Sequence, residues 1–261
     1  DNYGDIGSNA VDLSYSDSAN TINGATGESS TAMGWGTTAS ATASTAMGSG
    51  TTASENYSTA SGYFTTASAN ASTAMGNGTI ATGENSTATG LYTTANGANS
   101  TAMGESTTAS GKSSTAMGNL TTASDYGSLV IGQYNSSGST ATSADSFSTT
   151  NTAFVIGNGT GTGVNASDAF KVMFNGNTTV AGSVTATAFI GDGSQLTGLP
   201  TGGGSPFSLN ATSSDGIQSN NNTASGNYST AMGRSTTASG ESSTAMGYST
   251  KASDYGSLVI G

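Results

Sequence analysis

The side chains that could do chemistry in this chain of 261 residues are hydroxyls and scattered carboxylates. Serine and threonine occur 45 times each, aspartate and glutamate together 15 times, and histidine and cysteine are absent. Ser-His-Asp and Cys-His triads, disulfides and the usual zinc sites are therefore excluded. The acidic residues are dispersed and supply no pair for general acid–base catalysis. We expect a non-enzyme with no catalytic residue, no cofactor and no metal.

Charge and composition narrow the class of protein further. Four basic residues against fifteen acidic ones give a net charge of −11, which would repel a polyanion, so we expect no nucleic-acid partner. Hydrophobic residues make up 33%, below the roughly 45–50% of ordinary domains. No apolar run reaches the about 18 residues of a membrane span. The chain is either disordered or a repetitive fold of stacked small residues, and its regular repeat favours the second.

The repeat has a period of fourteen residues. Alanine recurs every seven residues from Ala25 to Ala123 and again from Ala224 to Ala252, and glycine recurs every fourteen from Gly34. Glycine and β-branched threonine disfavour a coiled coil, since glycine costs roughly 1 kcal/mol at each helical site. Two short strands and two tight corners in each repeat fit this composition better. The pattern predicts an all-β solenoid with 14-residue coils.

Alternation along each strand assigns the faces of such a coil. Ala32 shares its side with Ser30 and Gly34, whereas Thr31 and Met33 point the other way. The recurrent alanine should occupy the narrow interior, so the methionines form an outward stripe that indicates an interface rather than the roll's own core. The predicted interface residues are Met33, Met47, Met75, Met103, Met117, Ile131, Met232, Met246 and Ile260.

The repeat motif resembles a known family. Ser-Thr-Ala-Met-Gly occurs at 30–34, 44–48, 72–76, 100–104, 114–118, 229–233 and 243–247, and Ser-Leu-Val-Ile-Gly at 128–132 and 257–261. These units resemble the haemagglutinin-type head repeats of trimeric autotransporter adhesins, which follow Ser-Val-Ala-Ile-Gly. The resemblance implies a left-handed parallel β-roll and a homotrimer whose Val and Ile positions face the common axis. It also implies an extracellular location, on a cell surface or appendage.

Changes in composition divide the chain. We expect an N-terminal segment at 1–24, a first β-roll at 25–132, a β connector at 133–200, a Gly/Pro linker at 201–206 and a second β-roll at 207–261. Within the connector, 153–156 and 170–174 are apolar strands, and Asn175-Gly176 is a tight-turn signal. The segment 151–200 is similar to parts of bacterial surface fibres and phage tail fibres, which implies an interwoven β region.

A row of large side chains falls on alternate coils of one edge. Its members follow the repeat glycine at intervals of 28 residues, and they are Trp35, Tyr63, Phe64, Leu91 and Tyr92. Exposed aromatic residues are good ligand anchors, so this row is a candidate ligand-contact strip. Packing against neighbouring subunits of a trimer is the other interpretation. Asp125 and Asp254 are interpreted as turn residues rather than calcium ligands.

Three functions fit these patterns. The first is a structural and adhesive module of a trimeric extracellular surface fibre whose receptor the sequence does not identify. The second is a receptor-binding segment of a phage or virus tail fibre. The third is an ice-binding β-solenoid, because pairs such as Thr38 and Ser40 would form a regular hydroxyl array. The octapeptide 125–132 recurs unchanged at 254–261, so we also expect further chain after Gly261 or end-to-end contact with another subunit.

Overall fold

The structure is a computed structural model that describes residues 5–16, 23–136, 143–185, 207–209, 217–219 and 222–261. They belong to two compact units, which divide between residues 185 and 186. The predicted linker at 201–206 and the connector residues 186–200 lie outside the described residues. The described residues contain short strands and one 3-10 turn, Gly163–Asn165, and no α-helix.

The first unit has two strands in each coil, as the repeat predicts. In chain order its strands are β1 (Val11–Tyr15), β2 (Gly24–Ala25), β3 (Thr31–Trp35), β4 (Thr38–Ala39), β5 (Thr45–Ser49), β6 (Thr52–Ala53), β7 (Thr59–Tyr63), β8 (Thr66–Ala67), β9 (Thr73–Asn77), β10 (Ile80–Ala81), β11 (Thr87–Leu91), β12 (Thr94–Ala95), β13 (Thr101–Glu105), β14 (Thr108–Ala109), β15 (Thr115–Asn119), β16 (Thr122–Ala123), β17 (Leu129–Gln133), β18 (Thr152–Asn158), β19 (Asp168–Met173) and β20 (Thr178–Val180).

The second unit repeats the same coil on a smaller scale. Its described strands are β21 (Phe207–Leu209), β22 (Ile217–Ser219), β23 (Thr223–Ala224), β24 (Thr230–Arg234), β25 (Thr237–Ala238), β26 (Thr244–Tyr248), β27 (Lys251–Ala252) and β28 (Leu258–Ile260). Strands β22, β24, β26 and β28 form one parallel sheet, to which β21 adds antiparallel. Strands β23, β25 and β27 form the other.

Two sheets form the roll of the first unit. The five-residue strands stack in parallel from β1 through β3 to β17, followed by the seven-residue β18, and the two-residue strands stack from β2 to β16. From β3 to β17, and throughout the second stack, each residue lies beside the residue fourteen positions further along, as Ala32 does beside Ala46. We call these the long-strand sheet and the short-strand sheet. An all-β parallel solenoid with coils of about fourteen residues is therefore confirmed.

The core of the roll consists of small residues. The recurrent alanines of both sheets, such as Ala32 and Ala39, have no exposed surface, and Val130 and Val155 extend the same buried cluster. Serines and threonines at positions equivalent to Ser30 and Thr37 complete the interior. Because no large side chain lies between the sheets, the coil is thin. The predicted inward position of the alanines is correct.

The repeat glycine has a steric cause. Gly76 has a φ of +125°, and a Cβ added to it would overlap the carbonyl oxygen of Gly90 in the next coil. Only glycine accepts both this left-handed backbone and the close approach of the neighbouring strand. The same relation joins Gly34 to Gly48, which explains why the glycine recurs at every coil.

The long-strand sheet runs on beyond residue 132. Strand β18 stacks on β17 in parallel, with Phe154 beside Leu129 and Gly157 beside Gly132, although these partners are 25 rather than 14 residues apart. The chain between these partners is therefore eleven residues longer than in a regular coil. The N-terminal strand β1 likewise joins the same sheet through β3. Strands β19 and β20 add an antiparallel hairpin whose turn contains Asn175-Gly176, as predicted.

Candidate functional site

The outer face of the long-strand sheet carries a continuous column, which we call the methionine column. Parallel in-register stacking sets successive members directly beside one another, about 4.8 Å apart. In order, they are Leu13, Met33, Met47, Ser61, Met75, Thr89, Met103, Met117, Ile131 and Ile156. All of them are exposed or half-buried. The methionine column therefore presents an apolar ridge along the whole roll, interrupted only at Ser61 and Thr89.

A second column lies beside the first. It begins with Val11, continues through threonines such as Thr31 and Thr73, and ends with Leu129 and Phe154. The outer face thus combines thioether, methyl and hydroxyl groups in its middle and is fully apolar at both ends. A surface of this kind is suited to close packing against another protein surface.

The hairpin extends the apolar face. Phe154 lies opposite Val172, and Ile156 lies opposite Phe170, which in turn lies opposite Val180. Directly opposed residues of neighbouring strands share one face of a sheet. Leu13, Ile156 and this continuation were not predicted from the sequence. The available signal was Phe-Val-Ile-Gly at 154–157, which ends like the repeat unit at 129–132.

The second unit shows the same arrangement. Met232 lies beside Met246, and Met246 lies beside Ile260. Ile260 is exposed, whereas the two methionines are half-buried. Every predicted interface residue therefore lies on the outer face of a long-strand sheet.

The predicted ligand-contact strip lies where the long strands end. Trp35, Tyr63 and Leu91 are the last residues of β3, β7 and β11, and Phe64 and Tyr92 follow at the corner with positive φ. Phe64 lies over the preceding coil, since its ring would come within 2.8 Å of a Cβ at Gly50. Its edge-to-face contact with Tyr63 has a centroid distance of 4.5 Å. We call this row the corner strip.

The corner strip reaches further than the sequence analysis placed it. Leu120 lies 28 residues after Tyr92 in the same positive-φ position, and Tyr134 follows one coil later. Both residues line a cleft of about 310 Å³ at the end of the roll, whose other lining residues are Thr122, Asn135, Ser136, Thr162, Gly163 and Ala166. The strip therefore ends in a concave site.

The outer face of the short-strand sheet carries the hydroxyl array. Its threonine column runs through Thr38, Thr52 and Thr66 in register, but Ile80 occupies the next place and is exposed. The hydroxyl array therefore has a regular spacing, but the apolar side chain of Ile80 interrupts it.

Two carboxylates near the end of the roll have defined partners. Oδ2 of the buried Asp125 accepts the N–H of Thr152 at 2.8 Å, which holds the start of β18. Oδ1 of Asp168 accepts the N–H of Ser136 at 2.8 Å. Burial raises the pKa of Asp168, and the Ser136 hydrogen bond and Lys171 oppose this shift. Within the described residues, no three acidic side chains are grouped so that they could hold a metal ion.

Comparison with known families agrees with this geometry. A model of the YadA head domain repeat matches residues 25–51, 53–79, 81–107, 109–135, 220–236 and 238–261, which is more than half of the chain. The chain belongs to this family, the head repeats of trimeric autotransporter adhesins. A search of curated proteins finds no matching relative. None of the described helical segments has the length and apolarity to cross a membrane.

Proposed function

We propose that this chain is a structural and adhesive head segment of a homotrimeric fibre, displayed outside the cell on a bacterial surface or appendage. It has no catalytic role in this proposal. The observation that carries the proposal is the methionine column, which follows one face of a parallel sheet from Leu13 to Ile156.

Burial of this face supplies the driving force for assembly. Fully burying a Met, Leu, Ile or Phe side chain is worth roughly 1.5–3 kcal/mol. In a single chain, Met33, Met75 and Met103 remain exposed because the alanines already occupy the roll's interior. A three-fold axis beside the sheet would bring three identical columns together and close the assembly. Each chain would then contribute the same residues to a common core.

The polar members of the column fit this arrangement. Ser61 and Thr89 are small, and the adjoining threonines expose methyl groups as well as hydroxyls. Their hydroxyls can pair across the axis or bind trapped water. The trimer core would therefore contain polar and apolar side chains in its middle and apolar ones at its ends. Leu129, Ile131, Phe154 and Ile156 lie at one of these ends.

Light scattering on the full chain tests the trimer. The expected mass is three times that of the 25.2 kDa chain. Met75→Lys should lower this mass, because it places three ammonium groups near the axis. Ile80→Lys is the matched control, since Met75 and Ile80 are 42% and 40% exposed and lie on opposite sheets. A monomeric wild-type chain, or equal dissociation by the two variants, would refute the proposed interface.

A further inference from the structure

We propose that the corner strip binds an extended, neutral, β-1,4-linked polysaccharide. The proposal rests on the adhesive role above and names the class of ligand. It starts from an alternation of side-chain size at the positive-φ corner. From Gly50 to Leu120 large residues alternate there with small ones on successive coils, in the order Gly50, Phe64, Gly78, Tyr92, Ser106 and Leu120, and Tyr134 follows on the next coil.

The spacing of the large residues along the roll favours this ligand. Because large residues occupy every second coil, they are about 9–10 Å apart along the roll. A β-1,4-linked chain of pyranose rings repeats over two sugars at a similar length, and it presents equivalent flat faces at that interval. A peptide in β conformation repeats every two residues at about 6.6–6.8 Å and would lose register with the rings.

The side chains between the large residues also match a sugar chain. From β3 to β13 the last residues of the long strands alternate between large and polar side chains on successive coils. Their order is Trp35, Ser49, Tyr63, Asn77, Leu91 and Glu105, and the polar Asn119 follows. Each large side chain thus has a hydroxyl, amide or carboxylate beside it on the next coil. Flat apolar surfaces combined with hydrogen-bonding groups match the two surfaces of a sugar ring, its C–H face and its hydroxyl rim.

Two rings of the corner strip are supported by the backbone of the preceding coil. The Phe64 ring lies against the backbone of Gly50, and the Tyr92 ring lies in the same way against Gly78. A Cβ at either glycine would displace the ring. The rings are therefore held before a ligand arrives, while Phe64 and Tyr92 keep 52% and 62% of their surface exposed. Preorganised groups bind with a smaller loss of conformational entropy.

Charge selects a neutral ligand. The corner strip contains no basic residue, the neighbouring Glu105 adds a negative charge, and the whole chain carries −11. Sulfated or uronic-acid polymers would be repelled. The cleft lined by Leu120 and Tyr134 lies where the strip ends, and it is large enough to hold the last sugars of a bound chain.

Binding of hexamers of β-1,4-linked glucose and N-acetylglucosamine to the full chain, measured by calorimetry, tests the proposal. The double variant Phe64→Asn, Tyr92→Asn should weaken binding at least about tenfold. Tyr57→Asn should not weaken it. Tyr57 is the matched control because it has a φ of 60° and 64% exposure, against 52° and 62% for Tyr92, and lies at the other corner of the coil.

Four outcomes would overturn the proposal. They are no binding of either hexamer, equal weakening by the control, preferential binding of a proline-rich peptide, and a lower light-scattering mass of the double variant. The peptide is included because three residues of a polyproline II helix also span about 9 Å. A lower mass would instead assign the rings to subunit packing. If the wild-type chain proves monomeric but binds the hexamers, the trimer proposal fails and the binding site stands.

Discussion

Asn135 pairs with the backbone of Thr122 through both atoms of its side-chain amide. Oδ1 accepts the Thr122 N–H at 2.8 Å, and Nδ2 donates to the Thr122 carbonyl at 3.0 Å. In earlier coils the equivalent N–H is bound by a backbone carbonyl, as Thr108 N–H is by Thr121. The side chain therefore replaces a peptide unit of the next strand and closes the edge of the short-strand sheet. An open edge would invite pairing with another chain.

Asn135→Ala should destabilise the end of the first roll. It removes both hydrogen bonds from the half-buried Thr122 backbone groups, and each such bond contributes about 0.5–1.5 kcal/mol. We expect a lower melting temperature and faster amide exchange at Thr122. Asn96→Ala is the control, because Asn96 is exposed on the same sheet and should change neither value. Equal effects of the two variants would show that Asn135 does not close the edge.

Most of the regular roll could be predicted from the sequence, whereas its ends could not. Alanine and glycine recur at constant spacing, as at Ala32 and Gly34, because they occupy sites where nothing larger fits. The periodicity of the sequence therefore reveals the fold. Asn135 occupies the place of the interior threonines, since it lies fourteen residues after Thr121. Asn222 lies fourteen before Thr236, whose N–H it binds at 2.8 Å. Each of these asparagines occurs once, at an edge of a sheet. Because its position is not repeated, the periodicity of the sequence does not indicate its role.

The candidate sites were predictable to a similar degree. The methionines of the column follow from alternation along one strand. Leu13 and Ile156 do not, because their strands join the sheet after intervals other than fourteen residues. Likewise, the aromatic residues of the corner strip are visible as a row. Their support by Gly50 and Gly78 depends on ring orientation, which composition does not encode.

Gly76→Ala should severely destabilise the roll. The added methyl group would meet the carbonyl oxygen of Gly90, and the backbone at Gly76 has a φ of +125°. We expect a loss of at least about 3 kcal/mol, since the rigid backbone of the neighbouring strand must move. Gly36→Ala is the control, because Gly36 has a φ of +59° and no atom near its added Cβ. It should cost about 1 kcal/mol. Similar melting shifts in the two variants would contradict the steric explanation.

Asp168→Asn should change how stability depends on pH. Burial raises the pKa of Asp168 in the folded chain, so folding favours the protonated carboxyl. This stabilisation is fully present below the pKa of the unfolded chain and is lost as pH rises through the higher pKa of the folded chain. Asparagine keeps an oxygen for the Ser136 N–H and carries no charge. The variant should therefore become more stable than the wild type as pH rises from the pKa of Asp168 in the unfolded chain through its pKa in the folded chain.

Melting temperatures measured from acid to neutral pH at one protein concentration test this dependence. Asp145→Asn is the control, because Asp145 is exposed on the surface near the same end of the chain's first unit. Its curve should follow that of the wild type. If Asp168→Asn gains nothing as pH rises, attraction to Lys171 outweighs the cost of burying the carboxylate.

Thr65→Val should stabilise the roll or leave its stability unchanged, although it removes a hydroxyl from the core. Thr65 has no exposed surface, and its Oγ1 has no hydrogen-bond partner. Valine has the same shape and avoids the cost of burying an unpaired hydroxyl, so a gain of up to about 1 kcal/mol is expected.

Ser72→Ala is the opposite case in the next coil. The Ser72 hydroxyl donates to the Ala69 carbonyl at 2.7 Å, and its loss should cost about 1 kcal/mol. Thermal unfolding at matched concentration compares the stabilities of the two variants. If Thr65→Val loses as much stability as Ser72→Ala, the interior threonines are hydrogen-bonded in solution.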